Sequence, residues 1–184
     1  MVDLFNYTRR ASSVAHVGEL DLGGNNPIRI QSMTTTNTND TEACVRQAEE
    51  IIKAGGELVR FTTQGSREAE NMKNINAGIR ADGFTTPLVA DIHFNPNVAD
   101  VAALYCEKVR INPGNYVDPA RKFIKQEYTD EEYAHELQKI EERFVPFLNI
   151  CKENHTAIRI GVNHGSLSDR IRNRYGDTPE GIVE

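Results

Sequence analysis

Three arginines, an aspartate and a histidine carry the chemistry that this sequence suggests. Short β-branched runs read as strands at PIRIQSM (27–33), ELVRFTT (57–63), PLVADIHF (87–94), KVRIN (108–112) and AIRIGVN (157–163). A parallel strand covered on both faces should be almost wholly apolar, yet four of the five end on charged or polar residues. The second carries Arg60 and Thr62, the third Asp91 and His93, the fourth Arg110 and Asn112, the fifth Arg159 and Asn163. Residues i, i+2 and i+4 share one face of a strand, so each pair points one way. Gln31 and Met33 add to that face from the first strand, or Ser32 if its register is shifted. An unpaired charge in a core is expensive, and within this set Asp91 alone can balance the guanidinium groups. Arginine grips phosphate oxygens in a bidentate fork, so this surplus calls for a polyanionic ligand. Taken singly, each arginine is equally well a solvated strand end or half of an ion pair. His93 reads as a proton donor, a phosphate ligand or a partner for Asp91. NPGN (112–115) and NHGS (163–166) follow the fourth and fifth strands and could offer backbone N–H groups to phosphate, although turns use the same residues. His135 and His155 read as surface residues, and His16 is given no role.

The elements that must position these groups alternate, strand then amphipathic helix, which indicates βαβ units and a parallel sheet. Asn39 with Glu42 reads as a capping pair for a helix burying Cys44, Val45, Ala48, Ile51 and Ile52 and stopped at Gly55–Gly56. Asn95–Pro96 reads as an N-cap followed by proline at the first helical position, with Val98, Val101, Ala102 and Tyr105 buried. Thr129 with Glu132 opens a longer helix carrying Tyr133, Leu137, Ile140, Phe144 and Leu148, which Pro146 should kink or split. Thr178–Pro179 announces a last helix near the end of the chain. Residues 1–27 form an N-terminal extension, with a hairpin turn at Gly18–Glu19 placed to plug the bottom of a barrel. Residues 28–184 supply about five βα units, with an insertion around 115–132. A closed eight-unit barrel takes about 250 residues. The expected fold is therefore α/β, the N-terminal portion of a TIM barrel, and a small open five-stranded sheet is the alternative. In a barrel the charged strand ends would face inward at the C-terminal mouth, where such enzymes keep their sites.

Composition narrows the function classes. The 184 residues are 39% apolar and 26% charged, which excludes a disordered tail, a collagen-like fibre and a disulfide-stapled miniprotein. A net charge of −6 argues against a nucleic-acid partner. No run approaches the ~20 apolar residues of a membrane span, and no secretory signal opens the chain; a cytoplasmic location is expected. Cys44, Cys106 and Cys151 are odd in number and far apart, as reduced thiols in that compartment would be.

At the same strand ends, QSMT (31–34), LVRFT (58–62), LVADIHF (88–94), VRINPGN (109–115) and IRIGVNHGSLSDR (158–170) resemble the 4-hydroxy-3-methylbut-2-enyl diphosphate synthases (GcpE/IspG proteins) of the non-mevalonate isoprenoid pathway. The resemblance runs in order from about residue 8 to the end. QEYTDEEYAHELQKIEE (126–142) and NHGSLSDR are similar to the longer, three-domain form of plants and some bacteria. The resemblance implies a TIM barrel that binds 2-C-methyl-D-erythritol 2,4-cyclodiphosphate at its mouth. It implies an oxidoreductase that opens the ring reductively and loses a hydroxyl as water, with two electrons arriving from ferredoxin or flavodoxin through a [4Fe–4S] cluster. Arg60, Arg110 and Arg159 match diphosphate-binding arginines; Asp91, His93, Asn112 and Asn163 match polar residues of that pocket. The implied cluster ligands, three cysteines and a glutamate in a C-terminal domain, and a substrate lysine on a later strand are absent from these residues. This piece is therefore expected to be colourless and inactive alone, to bind no metal, and to self-associate across its open sheet edges. A pteroate-synthase-like anion-binding barrel and a non-catalytic phosphate-binding module are the alternatives.

Overall fold

The computed structural model describes residues 10–92, 95–112, 116–118 and 127–184. A hairpin comes first, β1 (Val14–Val17) and β2 (Leu20–Gly23), paired antiparallel with His16 opposite Asp21. The turn falls at the expected Gly18, whose φ of 58° suits glycine. Five parallel strands follow in sequential order: β3 (Gln31–Met33), β4 (Leu58–Thr63), β5 (Leu88–Ile92), β6 (Lys108–Ile111) and β7 (Ala157–Ile160). They alternate with α1 (Thr41–Lys53), α2 (Ser66–Ala81), α3 (Pro96–Ala102) and α4 (Asp130–Glu153). Two short helices end the chain, α5 (Asp169–Tyr175) and α6 (Pro179–Val183). The sheet is open, with β3 and β7 at its edges.

Side-chain alternation divides the sheet into two environments. Val59, Phe61, Leu88, Ala90, Ile92, Val109 and Ile111 pack under the helices with Met72, Ile75, Ile79 and Phe147. The other face is closed at the N-terminal ends of the strands by the hairpin: Val17, Leu20 and Leu22 pack on Leu58, Val89 and Ala157. Higher up, that second face carries the charged residues.

Several helix ends differ from the sequence reading. The N-cap of α1 is Asp40, not Asn39: its carboxylate accepts from the Ala43 N–H at 3.0 Å. Asn39 instead donates its backbone N–H to Asn37 Oδ1. Asn95 and Thr129 cap α3 and α4 as expected. Pro146 does not split α4, which runs through it for 24 residues. Pro146 and Glu142, whose carbonyl loses its partner, are both exposed, so water can satisfy that group. Leu137 and Leu148 are exposed where burial was expected, and Phe147 and Cys151 are buried instead. A helix of that length spans about 36 Å, more than one face can cover. Its C-terminal half packs on α3, with Arg143 donating to Asp100; at its N-terminal end Tyr133 turns toward Tyr175 and Glu184. Cys106 lies beyond the end of α3, and all three cysteines are buried. Part of the expected insertion, residues 119–126, lies outside the described residues.

Candidate functional site

Strand register sorts the charged face into two rows. The lower row runs Met33, Arg60, Val89, Lys108, Ala157 from β3 to β7. The upper row runs Thr62, Asp91, Arg110, Arg159. Arg60 therefore stands one row below the other two arginines, because β4 is offset by two residues against β5.

Asp91 is 2% exposed and holds the centre. Its Oδ2 accepts from Arg60 Nη2, which reaches up from the lower row. Its Oδ1 accepts from Arg110 Nη1 at 3.2 Å. Arg110 also donates Nη2 to the Gly161 carbonyl at 2.8 Å. Gly161 leaves room for that guanidinium: a Cβ would lie 2.2 Å from Arg110 Nε. Arg159 is exposed and, among the described residues, makes no ion pair. Among the described residues, Arg60 Nε is buried without a hydrogen-bond partner.

The expected site residues are thus only partly assembled. Arg60, Asp91 and Arg110 are in contact, Arg159 is beside Arg110 in register, and Asn112 is buried at the end of β6. Asn163 is exposed and caps the turn at His164–Ser166, accepting from the Ser166 N–H at 3.1 Å. His93 and residues 113–115 of the NPGN loop lie outside the described residues. Lys108 was missed. It is 9% exposed and has no hydrogen bond or ion pair among the described residues. Burial first, then Arg159 and Arg60, hold its ammonium below its ordinary pKa. The signal was present in the sequence: Lys108 stands at i−2 from Arg110 and so shares its face.

The described residues do not fit an iron–sulfur cluster. Burial raises all three thiols, Cys151 to about 11, whereas cluster ligands are thiolates. Cys44 Sγ is occupied by Thr36 Oγ1 at 3.2 Å and the Asn37 carbonyl at 3.3 Å. Among the described residues no three His, Cys, Asp or Glu side chains converge to hold a metal. A cleft of about 420 Å³ lies elsewhere, beside the N-terminal ends of β6 and β7, and includes Gly18, Tyr105, Glu107 and His155. It contains none of the arginines above.

The family model of the GcpE TIM-barrel domain matches residues 12–184. The chain belongs to that family. Over 183 residues it is 75% identical to 4-hydroxy-3-methylbut-2-en-1-yl diphosphate synthase (flavodoxin) of Phocaeicola vulgatus and 74% identical to the protein of that name from Bacteroides thetaiotaomicron. The alignments cover all of this chain and 30% of each relative, so the chain spans under a third of their length. The five-stranded sheet is accordingly part of a TIM barrel that these residues do not close. A dihydropteroate synthase from Vibrio fischeri ES114 aligns over 84% of this chain and 68% of its own at 12% identity, with a TM-score of 0.46, a likeness too slight to bear on function. No helix among the described residues is long and apolar enough to cross a membrane.

Proposed function

We propose that this chain is the substrate-binding part of a 4-hydroxy-3-methylbut-2-enyl diphosphate synthase, and that its cationic face receives the diphosphate of 2-C-methyl-D-erythritol 2,4-cyclodiphosphate. One observation carries the reading: Arg60, Arg110, Arg159 and Lys108 meet a single carboxylate among the described residues, with Arg60 Nε unsatisfied. Family membership and the relatives' name, a diphosphate synthase, support a diphosphate as that polyanion. In this reading the three arginines fork the phosphate oxygens, and Asn112 and Asn163 line the same pocket. Asp91 orients Arg60 and Arg110, and His93 handles a proton or hydroxyl of the substrate. The electron donor carried over from the relatives' name is flavodoxin, with ferredoxin as the other donor implied by the resemblance. The reduction itself is assigned to no residue described here. A cytoplasmic location belongs to the same reading. The exposed Ile30 and Ile160 at the two sheet edges support self-association of the isolated piece, which sedimentation at rising concentration would detect.

The test is calorimetric binding of the cyclic diphosphate to the full-length protein and its Arg60→Ala, Arg110→Ala and Arg159→Ala variants, with folding confirmed by circular dichroism. A charge-assisted hydrogen bond contributes about 1.5–3 kcal/mol, so each variant should bind roughly 10–100-fold more weakly. Arg→Lys should also weaken binding, because lysine keeps the charge and loses the fork. Unchanged affinity in all three would return the arginines to structural ion pairs.

A further inference from the structure

Lys108 is the buried cation that the arginine site leaves unexplained. On β6 it stands two residues below Arg110, about 7 Å down the strand, on the face away from the helices. Its neighbours in the row are Val89 and Ala157, both uncharged. Arg60 approaches from β4 and Arg159 from β7, both cationic, and Arg110 stands above it. Asp91, the nearby carboxylate on β5, is taken by Arg60 and Arg110. Beneath, the hairpin offers Val17, Leu20 and Leu22, and its Asp21 is held by His16. Among the described residues Lys108 has no hydrogen bond or ion pair, and holding a charged ammonium among cations in a largely buried place is costly.

We propose that Lys108 is a fourth anion-binding residue of this pocket, contacting the deepest phosphoryl oxygens while the arginines fork the outer ones. The proposal rests on the reading of the strand ends as a diphosphate site. It explains why the lysine is tolerated: the missing countercharge is brought by the ligand. It also makes binding proton-linked. The pocket lowers the pKa of the free ammonium and an anion beside it raises it again, so at alkaline pH binding must draw a proton onto Lys108. Arginine at this position would carry its charge at every accessible pH.

The experiment is calorimetric titration of inorganic pyrophosphate into the full-length protein, comparing wild type with Lys108→Met, Lys108→Arg and Arg159→Ala from neutral to alkaline pH. Lys108→Met should bind about 10-fold more weakly or worse, and Lys108→Arg within about 3-fold of wild type at neutral pH. As pH rises, wild-type affinity should fall relative to Lys108→Arg; the titration of pyrophosphate itself is common to both and cancels in the ratio. If Arg159→Ala weakens binding and Lys108→Met does not, Lys108 is a packing residue, and the inference fails while the anion site stands. If wild type does not bind pyrophosphate, the site falls and the inference with it. Should Lys108→Met fail to fold, the wild-type and Lys108→Arg pH profiles still decide, since parallel profiles overturn the proton linkage.

Discussion

The two ends of the parallel strands treat charge in opposite ways. At the N-terminal ends, Glu57 accepts from Arg29 at 2.9 Å and from the Ile30 N–H at 2.8 Å. Glu107 accepts from Arg80 at 2.8 Å and from the Leu88 N–H at 2.7 Å. Arg29 and Arg80 each have their own carboxylate, and each carboxylate also accepts a backbone N–H where a neighbouring strand begins. The Ile30 N–H, and after it Arg29, hold the Glu57 carboxyl below its usual range. At the C-terminal ends one carboxylate serves two arginines, while Arg159 has none among the described residues; Lys108, at the start of β6 and beneath them, has none either. The residue types are the same at both ends. Arginine near a strand end is therefore no guide by itself; the ratio of cations to carboxylates separates a structural pair from a site awaiting an anion.

The strongest way to break this contrast is to remove one carboxylate from each end. Asp91→Ala leaves two guanidinium groups facing each other, each about one-fifth exposed. Removing one partner of a buried pair costs about 3–5 kcal/mol, and the partial exposure points to the lower figure. Glu107→Ala removes a half-exposed pair and one strand-end hydrogen bond, about 1–2 kcal/mol. Urea unfolding of the full-length protein, with and without pyrophosphate, measures both. Measured against wild type under the same conditions, pyrophosphate should close most of the Asp91→Ala deficit and leave the Glu107→Ala deficit unchanged. Equal recovery at both ends would dissolve the distinction.

Much of the charged face was legible because strand periodicity is unforgiving: once β4, β5 and β6 are placed, Arg60, Asp91 and Arg110 must share a face. Their vertical arrangement was not legible. Register between strands depends on barrel stagger, which no single strand encodes, so the three arginines read as level although Arg60 is a row lower. Lys108 was passed over because it begins a strand, where lysine is ordinarily solvated; only the hairpin and the neighbouring strands reveal that it is buried. The Asn39 reading failed by one residue because Asn39 and Asp40 are both good caps, and the choice depends on which has its side chain free. The slipped face of α4 shows the limit of periodicity in a helix that touches different partners at its two ends.

Gly161→Ala sharpens the contrast with little cost to the fold. The added Cβ meets the flexible end of Arg110, 2.2 Å from Nε, so the guanidinium moves rather than the backbone. Stability should change by less than about 1 kcal/mol, while pyrophosphate affinity falls roughly 10-fold as the Arg110 fork loses its aim. Gly165→Ala is the comparison, because its Cβ presses on Asn163 Oδ1 at 3.3 Å and leaves the Arg110 guanidinium untouched, and it should alter affinity by less than about 3-fold. Calorimetry and thermal unfolding of both variants give the two readouts. Equal losses of affinity would mean that the whole loop, and not the space beneath Arg110, controls binding.

The smallest effect expected runs against intuition, because deleting a charged residue should stabilise the protein. Lys108 has its pKa lowered in the fold, first by burial and then by Arg159 and Arg60, so its charged form costs free energy that the unfolded chain does not. Below the folded pKa the lysine is charged in both states and the whole cost is felt. As pH rises through the folded pKa, the native state sheds the proton before the unfolded state does. The unfolded state then binds more protons, and wild-type stability climbs with pH. Lys108→Met keeps the apolar stem and removes the charge, so at neutral pH it should melt about 2–4 °C higher than wild type. That advantage should shrink as pH becomes alkaline. With saturating pyrophosphate at neutral pH the order should reverse, because the ligand stabilises wild type by its tighter binding. The lower, balanced end of the strands offers no such reversal: Glu107→Ala should remain less stable than wild type with or without the anion.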